Sequence, residues 1–286
     1  MTPTVAIIAQ GGMGAACAKR LTDNGVRVVT SLARRSEASA KRAADAGMIA
    51  VEDSEIAGAD FILSVVPPNE ALPLAKRLAP ALTAANRKPV YADCNAVSPD
   101  TVMAIAQAIA PTGAHFLDAG IIGGPPRSGY HGPIFYYSGP ADTGIEALNE
   151  YGLIFRPVQG AVQGAVGAAS ALKMSYGGIT KGLTAVGSAM ILAATRAGVA
   201  EALHAELSAS QPNLMTYFAR SVPDMFGKAY RWVPEMQEIA HFSGDQATSE
   251  MYRAIAALYG QLAADNEGEK AAIRALAEFF EKSTKK

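Results

Sequence analysis

The stretch that most constrains this chain is Val5–Gly14. Val5-Ala6-Ile7-Ile8 is a short apolar run with β-branched members, and it breaks at Ala9-Gln10-Gly11-Gly12-Met13-Gly14. Good helix formers resume from Ala15 to Leu21. Strand, glycine turn and helix in that order make the phosphate cradle of a dinucleotide fold. A pyrophosphate lies at such a helix N-terminus, where unpaired amides and the helix dipole favour negative charge. The usual pattern is G-x-G-x-x-G, and its first glycine is Ala9 here. Either the turn differs slightly or Ala9 keeps a negative φ. Alone, the motif also fits, less well, a glycine-rich turn that binds nothing. The residues it nominates for a cofactor are Gln10, Gly11, Gly12, Met13 and Gly14.

The next stretch supplies context. Val26–Leu32 reads as a second strand, ending in Ala33-Arg34-Arg35-Ser36, where this fold reads the adenine ribose. An NAD enzyme usually places an acid there to bind the 2′-hydroxyl. A guanidinium fork instead matches a 2′-phosphate, which an aspartate would repel. Arg34, Arg35 and Ser36 therefore favour NADP, with NAD as the alternative. The competing reading is that both arginines are ordinary solvated charges.

A length of 286 residues suits two domains, or one large one with an extension. Half the residues are apolar, and the net charge of −1 speaks against nucleic-acid binding or a disordered acidic tail. The cysteine count of 2 is too small for a disulfide framework, so a reducing cytoplasm is expected. The N-terminus runs straight into the first strand, with no secretory pattern. The apolar stretch Leu183–Thr195, bracketed by Lys181 and Arg196, is too short to cross a bilayer, so no membrane association is expected. His115, His131, His204 and His241 do not fall at metal-ligand spacing.

Strand and helix patterns alternate through the first half. Strands are predicted near Met48–Val51, Asp60–Val66, Pro89–Asp93, His115–Asp118, Ile134–Ser138 and Ile154–Val158. Helices are predicted at Glu37–Ala46, Asn69–Leu82, Pro99–Ala110 (capped by Ser98) and around Ala141–Glu150. This predicts an α/β Rossmann-type doubly wound parallel sheet over residues 1–162. Strand signals then vanish. Ala161–Arg196 reads as one long helix, rich in glycine and alanine and packed on all sides, and five more helices follow to Lys282. Residues 163–286 are predicted to form an all-α domain for substrate binding and dimerisation. Ligands of open parallel sheets bind at the carboxyl ends of strands. The segments there are Val66-Pro67-Pro68-Asn69, Asp93–Pro99 and Asp118–Pro126.

Four motifs in order resemble the β-hydroxyacid dehydrogenase superfamily, which contains 3-hydroxyisobutyrate dehydrogenase and, more distantly, 6-phosphogluconate dehydrogenase. They are Gly11-Gly12-Met13-Gly14, Asp93-Cys94-Asn95-Ala96-Val97-Ser98-Pro99, Asp118–Gly124, and Gly167-Ala168-Ala169-Ser170-Ala171-Leu172-Lys173. The stretch Tyr230–Ala240 looks like a helical C-terminal domain belonging to a divergent branch. The resemblance implies hydride exchange between a β-hydroxy acid or related alcohol and its carbonyl. It makes Lys173 the general acid/base, and gives Val66, Pro67, Pro68 and Asn95 to the cofactor. Asn95, Ile122, Gly123, Gly124 and Tyr176 fall to the small-molecule substrate.

Independent chemistry agrees for Lys173. Alcohol oxidation needs a base, carbonyl reduction needs an acid, and a lysine among Ala171, Leu172 and Met174 has its pKa lowered toward neutrality by burial. A lysine that snorkels to solvent is the other reading. Ile122 and Gly177 replace a serine and an asparagine of the family pattern, which suggests a bulkier or less polar substrate. Lys181 reads as a surface or interface charge, and Cys94 as a small buried residue without a nucleophile's setting. Asp93 and Asp118 read as loop caps, and Arg127 as an anion holder or a solvated charge. Trp232, Glu235 and Glu238 share a helical face whose default is core packing. The rival functions are an imine reductase, a class that generally lacks the lysine, and a non-catalytic NADP-binding protein. The glycine- and alanine-rich helix points to a homodimer.

Overall fold

The structure, a computed structural model, describes residues 2–33, 35–159 and 165–281. The chain divides into two compact units, Met1–Met174 and Ser175–Lys286.

The first unit holds β1 (Thr4–Ile8), α1 (Gly12–Asp23), β2 (Arg27–Thr30), α2 (Glu37–Asp45), β3 (Ile49–Ala50) and α3 (Asp53–Ala57). It continues with β4 (Phe61–Ser64), α4 (Pro68–Ala84), β5 (Val90–Asp93), α5 (Pro99–Ile109), β6 (His115–Ile122), β7 (Ile134–Ser138) and β8 (Ile154–Pro157). The first turns of α6 (Ala168–Arg196) complete it. The strands form one sheet in the order β3-β2-β1-β4-β5-β6-β7-β8, the Rossmann-type arrangement expected. β1 shows why its sequence is apolar throughout. Val5 and Ile7 enter the core on one face, Ala6 and Ile8 the core on the other, and all four are fully buried. A strand covered on both faces reads as a continuous apolar run.

Two elements depart from the expected pattern. β7 runs antiparallel to β6, with Gly120 opposite Tyr136. The connection between them holds Pro125, Pro126 and Pro133 and two positive-φ glycines, Gly123 and Gly129, so no crossover helix can form in it. A parallel return would need such a crossover. The helix expected around Ala141–Glu150 is a 3-10 helix, Ile145–Tyr151, flanked by left-handed Gly144 and Gly152.

The division between units falls after Met174 and not after residue 162, because Ser170 and Lys173 at the start of α6 are hydrogen-bonded to β6. The predicted helix start at Ala161 lies outside the described residues, and α6 begins at Ala168.

The second unit is all-α. The rest of α6 is followed by α7 (Ala200–Ser210), α8 (Pro212–Met225), α9 (Ala229–Phe242), α10 (Gln246–Glu267) and α11 (Ala271–Glu281). Its core is built from Phe218, Val222, Met236, Ile239, Tyr259 and Leu276, among others. The small residues of α6 allow close packing. A Cβ at Gly187 would stand 2.6 Å from the Phe218 ring, and one at Gly178 2.8 Å from the Tyr252 hydroxyl. Packing does not surround the helix, however. Tyr176, Ile179, Leu183, Val186 and Met190 form an exposed stripe along it. With 29 residues, α6 is also long and apolar enough to cross a membrane by length and composition, which the Leu183–Thr195 run alone did not suggest. Lys181 is no surface charge. Its ammonium pairs with Glu235 and sits 5.2 Å from the centre of the Trp232 ring, with both charged side chains largely buried.

Candidate active site

The glycine turn has the form a pyrophosphate needs. A Cβ at Gly14 would land on the carbonyl of Ala9, so α1 can lie this close to β1 only with glycine there. Gly11 caps α1 with no side-chain hydrogen bond, and no acid stands in the first turn. Gly11 and Gly12 are exposed, and a Cβ at either would meet nothing within 4 Å. Open glycines beneath unpartnered helix amides fit a dinucleotide phosphate. Gln10 is buried and serves the scaffold. Its Nε2 donates to Thr30 Oγ1 and to the Ser31 carbonyl (2.8 Å), joining the ends of β1 and β2. Met13 packs half-buried on the core.

At the expected ribose end, Ser36 caps α2, its Oγ accepting from the Ser39 amide at 3.3 Å. Arg35 is half-buried, and Arg34 lies outside the described residues. Sequence reading missed Arg42. Its Nε donates to the Gln10 carbonyl at 2.8 Å and its Nη2 to Ser39 Oγ at 2.9 Å, so a guanidinium bridges the glycine turn and the start of α2. In sequence, Arg42 is one of several charges on a polar helix.

Asn95 is buried and its amide is fully engaged. Oδ1 accepts from the Val66 amide at 2.6 Å, and Nδ2 donates to Ser64 Oγ at 2.8 Å and to Asp93. It fixes the bend after β4, where exposed Pro67 and half-buried Pro68 open α4. Asp93 is buried beside Asp118 on the neighbouring strand. Burial, and then the nearby Asp118 charge, push its pKa up to about 8 against the pull of hydrogen bonds from Asn95 and Ser64. Burial likewise raises the Cys94 thiol, leaving it unsuited to be a nucleophile.

The ends of β6 and α6 meet through Asp118. Its Oδ2 accepts from the amides of Gly167 and Ser170 and from Ser138 Oγ, each at 3.0 Å, and its Oδ1 accepts from Ser170 Oγ at 2.7 Å. The carboxylate thus caps the start of α6 from the sheet. Burial raises its pKa and these donors oppose the rise. One turn along, Lys173 Nζ donates to the Ile121 carbonyl at 2.5 Å, and burial lowers its pKa to about 8. Gly120 makes this approach feasible, since a Cβ there would sit 2.9 Å from the Ala169 carbonyl and 3.0 Å from Lys173 Cβ.

β6 then ends in half-buried Ile122 and exposed Gly123 and Gly124. Gly123 has φ +120°, and the Tyr130 hydroxyl fills the place its Cβ would take. Within the first unit, Lys173 is thus brought to the strand that leads into Gly123 and Gly124. Tyr176 stands exposed on α6 in the second unit. Sequence reading treated Asp118 as a loop cap. The signal that could have found its role is a lone acid inside an otherwise apolar strand, which needs buried donors.

Comparison with known proteins agrees with this geometry. Residues 4–151, more than half of the chain, match the NAD binding domain of 6-phosphogluconate dehydrogenase. Residues 194–262 match a domain of unknown function, DUF1932. One similar solved structure is a conserved protein of unknown function described as structurally similar to 3-hydroxyacid dehydrogenases. It is 26% identical with a TM-score of 0.69, covering 96% of this chain and 99% of that one. The Mycobacterium tuberculosis 3-hydroxyisobutyrate dehydrogenase, solved with L-serine, shares the fold at 18% identity and a TM-score of 0.70, over 96% of this chain and 99% of that one. An imine reductase variant from Myxococcus stipitatus, solved with NAD+, shares it at 20% identity and 0.61, over 98% and 99%. No curated protein matches the chain. A dinucleotide cradle, a lysine held at the end of β6 and the matched NAD-binding domain together place the chain in the β-hydroxyacid dehydrogenase superfamily, as an NAD(P)-dependent oxidoreductase.

Proposed function

We propose that this chain is an NADP-dependent oxidoreductase that interconverts a β-hydroxy acid, or a related alcohol, and its carbonyl, with Lys173 as general acid/base. The observation that carries the reading is the state of Lys173. Its amine is tied by one N–H to the Ile121 carbonyl, and burial brings its pKa to about 8. An amine titrating there can serve in both directions near neutral pH. In oxidation the neutral amine takes the hydroxyl proton. In reduction the ammonium returns it to the nascent alkoxide. When bound, the nicotinamide accepts or supplies the hydride.

The backbone of Gly123 and Gly124 lies open beyond Ile121 and suits an approaching carboxylate. Ile122 offers it no polar side chain, and the sequence has glycine at 177 where the family pattern has asparagine, which supports a substrate bulkier or less polar than 3-hydroxyisobutyrate. Asn95 acts through Val66 and Ser64, holding the bend beside the cofactor. For NADP, the support is the Arg34-Arg35 pair in the sequence, with no acid between Ala33 and Ser36, and the Arg42 guanidinium held at the glycine turn. A guanidinium matches a 2′-phosphate.

We also propose a homodimer. The exposed positions 176, 179, 183, 186 and 190 of α6 alternate by three and four, the spacing of a helix–helix seam. Light scattering that finds only monomer at micromolar concentration would refute this.

The test of function is steady-state turnover of a panel of 3-hydroxy acids with NADP+ and with NAD+, for the natural chain and for Lys173→Ala. Turnover of hydroxy acids that survives the substitution unchanged overturns the mechanism. Turnover of cyclic imines alone would move the chain to the imine reductases.

A further inference from the structure

α1 begins at the dinucleotide cradle and ends beside the loop that joins β6 to β7. Arg20, in its last turn, donates to three carbonyls of that loop. They are Arg127 at 3.0 Å and Tyr130 at 2.9 Å from Nη2, and Gly132 at 3.1 Å from Nη1. The arginine lies in a slot made for it. Gly152 has φ +89°, and a Cβ there would stand 3.0 Å from Arg20 Cδ and 3.1 Å from its Cγ. A fork that satisfies three carbonyls at once is a task lysine cannot copy.

The clamped loop reaches back to the substrate end of β6. Arg127 and Tyr130 pair across a tight turn, and the Arg127 guanidinium lies 5.4 Å from the centre of the Tyr130 ring. The Tyr130 hydroxyl occupies the space left by the missing side chains of Gly123 and Gly132. Gly123 follows, by two residues, the carbonyl that holds Lys173. A chain of contacts therefore runs from Arg20 through Tyr130 to Gly123. At a rise of about 1.5 Å per residue, Arg20 stands roughly 12 Å along α1 from Gly12.

We propose that Arg20 is a positioning residue for the substrate loop, fixing Gly123 and Gly124 through Tyr130, so that one helix sets both the cofactor cradle and the substrate backbone. The proposal rests on the reading of Gly123 and Gly124 as substrate-binding backbone. It predicts that loosening Arg20 harms substrate handling and spares the nucleotide.

The experiment compares the natural chain with Arg20→Ala, Arg20→Lys and Tyr130→Ala. Amide exchange of the peptide covering 123–133 is followed by mass spectrometry, NADPH affinity by fluorescence, and kinetics with NADP+ and the 3-hydroxy acid of the panel that the natural chain turns over with the highest kcat/KM. Exchange of this peptide should accelerate at least tenfold in Arg20→Ala, with Arg20→Lys restoring only part of the protection. The NADPH Kd should stay within threefold. KM should rise at least tenfold while kcat changes less than threefold. Tyr130→Ala, which leaves the three carbonyl contacts in place, should raise KM in the same way, and it serves alone if the Arg20 variants do not fold.

Unchanged exchange in Arg20→Ala overturns the proposal. So does a loss of NADPH affinity that keeps pace with the exchange, or an unaltered KM in Tyr130→Ala. If the natural chain turns over no hydroxy acid, the functional reading fails while the exchange and NADPH measurements still decide the role of Arg20.

Discussion

Asp118 and Ser170 stand 52 positions apart in sequence and are joined by two hydrogen bonds, from the serine hydroxyl at 2.7 Å and from its amide at 3.0 Å. Three residues further along each element, Lys173 meets the carbonyl of Ile121. The sheet therefore holds the helix at two matched points, and the second of them is the proposed acid/base.

Removing the first point should loosen the second. Ser170→Ala leaves one oxygen of a buried carboxylate short of a donor, which costs about 1–3 kcal/mol. Asp118→Leu should cost more, because it leaves the Gly167 and Ser170 amides and the Ser138 and Ser170 hydroxyls without their acceptor. Urea denaturation measures the stability loss, and turnover should fall in the same order.

Lys173 sets the pH profile. With its pKa lowered to about 8, the rate of alcohol oxidation should rise with pH and level off above that value, and carbonyl reduction should fall through it. Lys173→Ala should lower kcat by about 10²–10⁴-fold and abolish this limb. The measurement is kcat/KM against pH in both directions.

Gly120→Ala tests the closeness of α6 to β6. The new methyl group would press on the Ala169 carbonyl and on Lys173 Cβ. We expect a stability loss of about 1–3 kcal/mol, typical of overpacking, with loss of turnover beyond what the melting temperature explains. An alanine variant as active as the natural chain would show that the approach is not needed.

Asp93 should make stability depend on pH in an unusual direction. Its pKa is raised to about 8, so the folded chain binds this proton more tightly than the unfolded one. The stability it contributes is complete below the ordinary carboxyl value and is lost as pH rises toward about 8. Asp93→Asn should therefore gain on the natural chain between pH 5 and pH 8, by on the order of 1 kcal/mol or more. Melting temperatures of the two proteins across that range provide the check.

Cofactor preference should follow the arginines. Alanine at Arg34 and Arg35 should weaken NADPH at least tenfold more than NADH, since only the former carries the 2′-phosphate. Titration by fluorescence gives both affinities, and equal weakening would remove the NADP assignment.

The sequence made the glycine turn legible because strand, turn and helix are contiguous there and each has its own residue chemistry. It nominates Lys173 through a motif that is also contiguous. It marks Asp118 as an acid that needs buried donors but does not name them, since Ser138, Gly167 and Ser170 lie far along the chain. The same limit hid Arg42 on the Gln10 carbonyl and the pairing of Lys181 with Glu235. Periodicity shows which face of a helix is apolar but not whether something covers it, so α6 read as enclosed although Ile179 and Val186 are open. The antiparallel β7 was missed for another reason. Alternating elements suggest parallel strands, and only the proline-rich turn from Gly123 to Pro133 reveals the reversal.

An apolar helix can slide along an apolar neighbour at small cost, because one methyl group replaces another. The polar pairing of β6 with α6 forbids that. Advancing α6 by a single residue would swing Lys173 through about 100° and strand a buried carboxylate among aliphatic groups. Asp118 thus works as a detent: the helix clicks into one axial setting, and the amine is delivered to one place each time the protein folds.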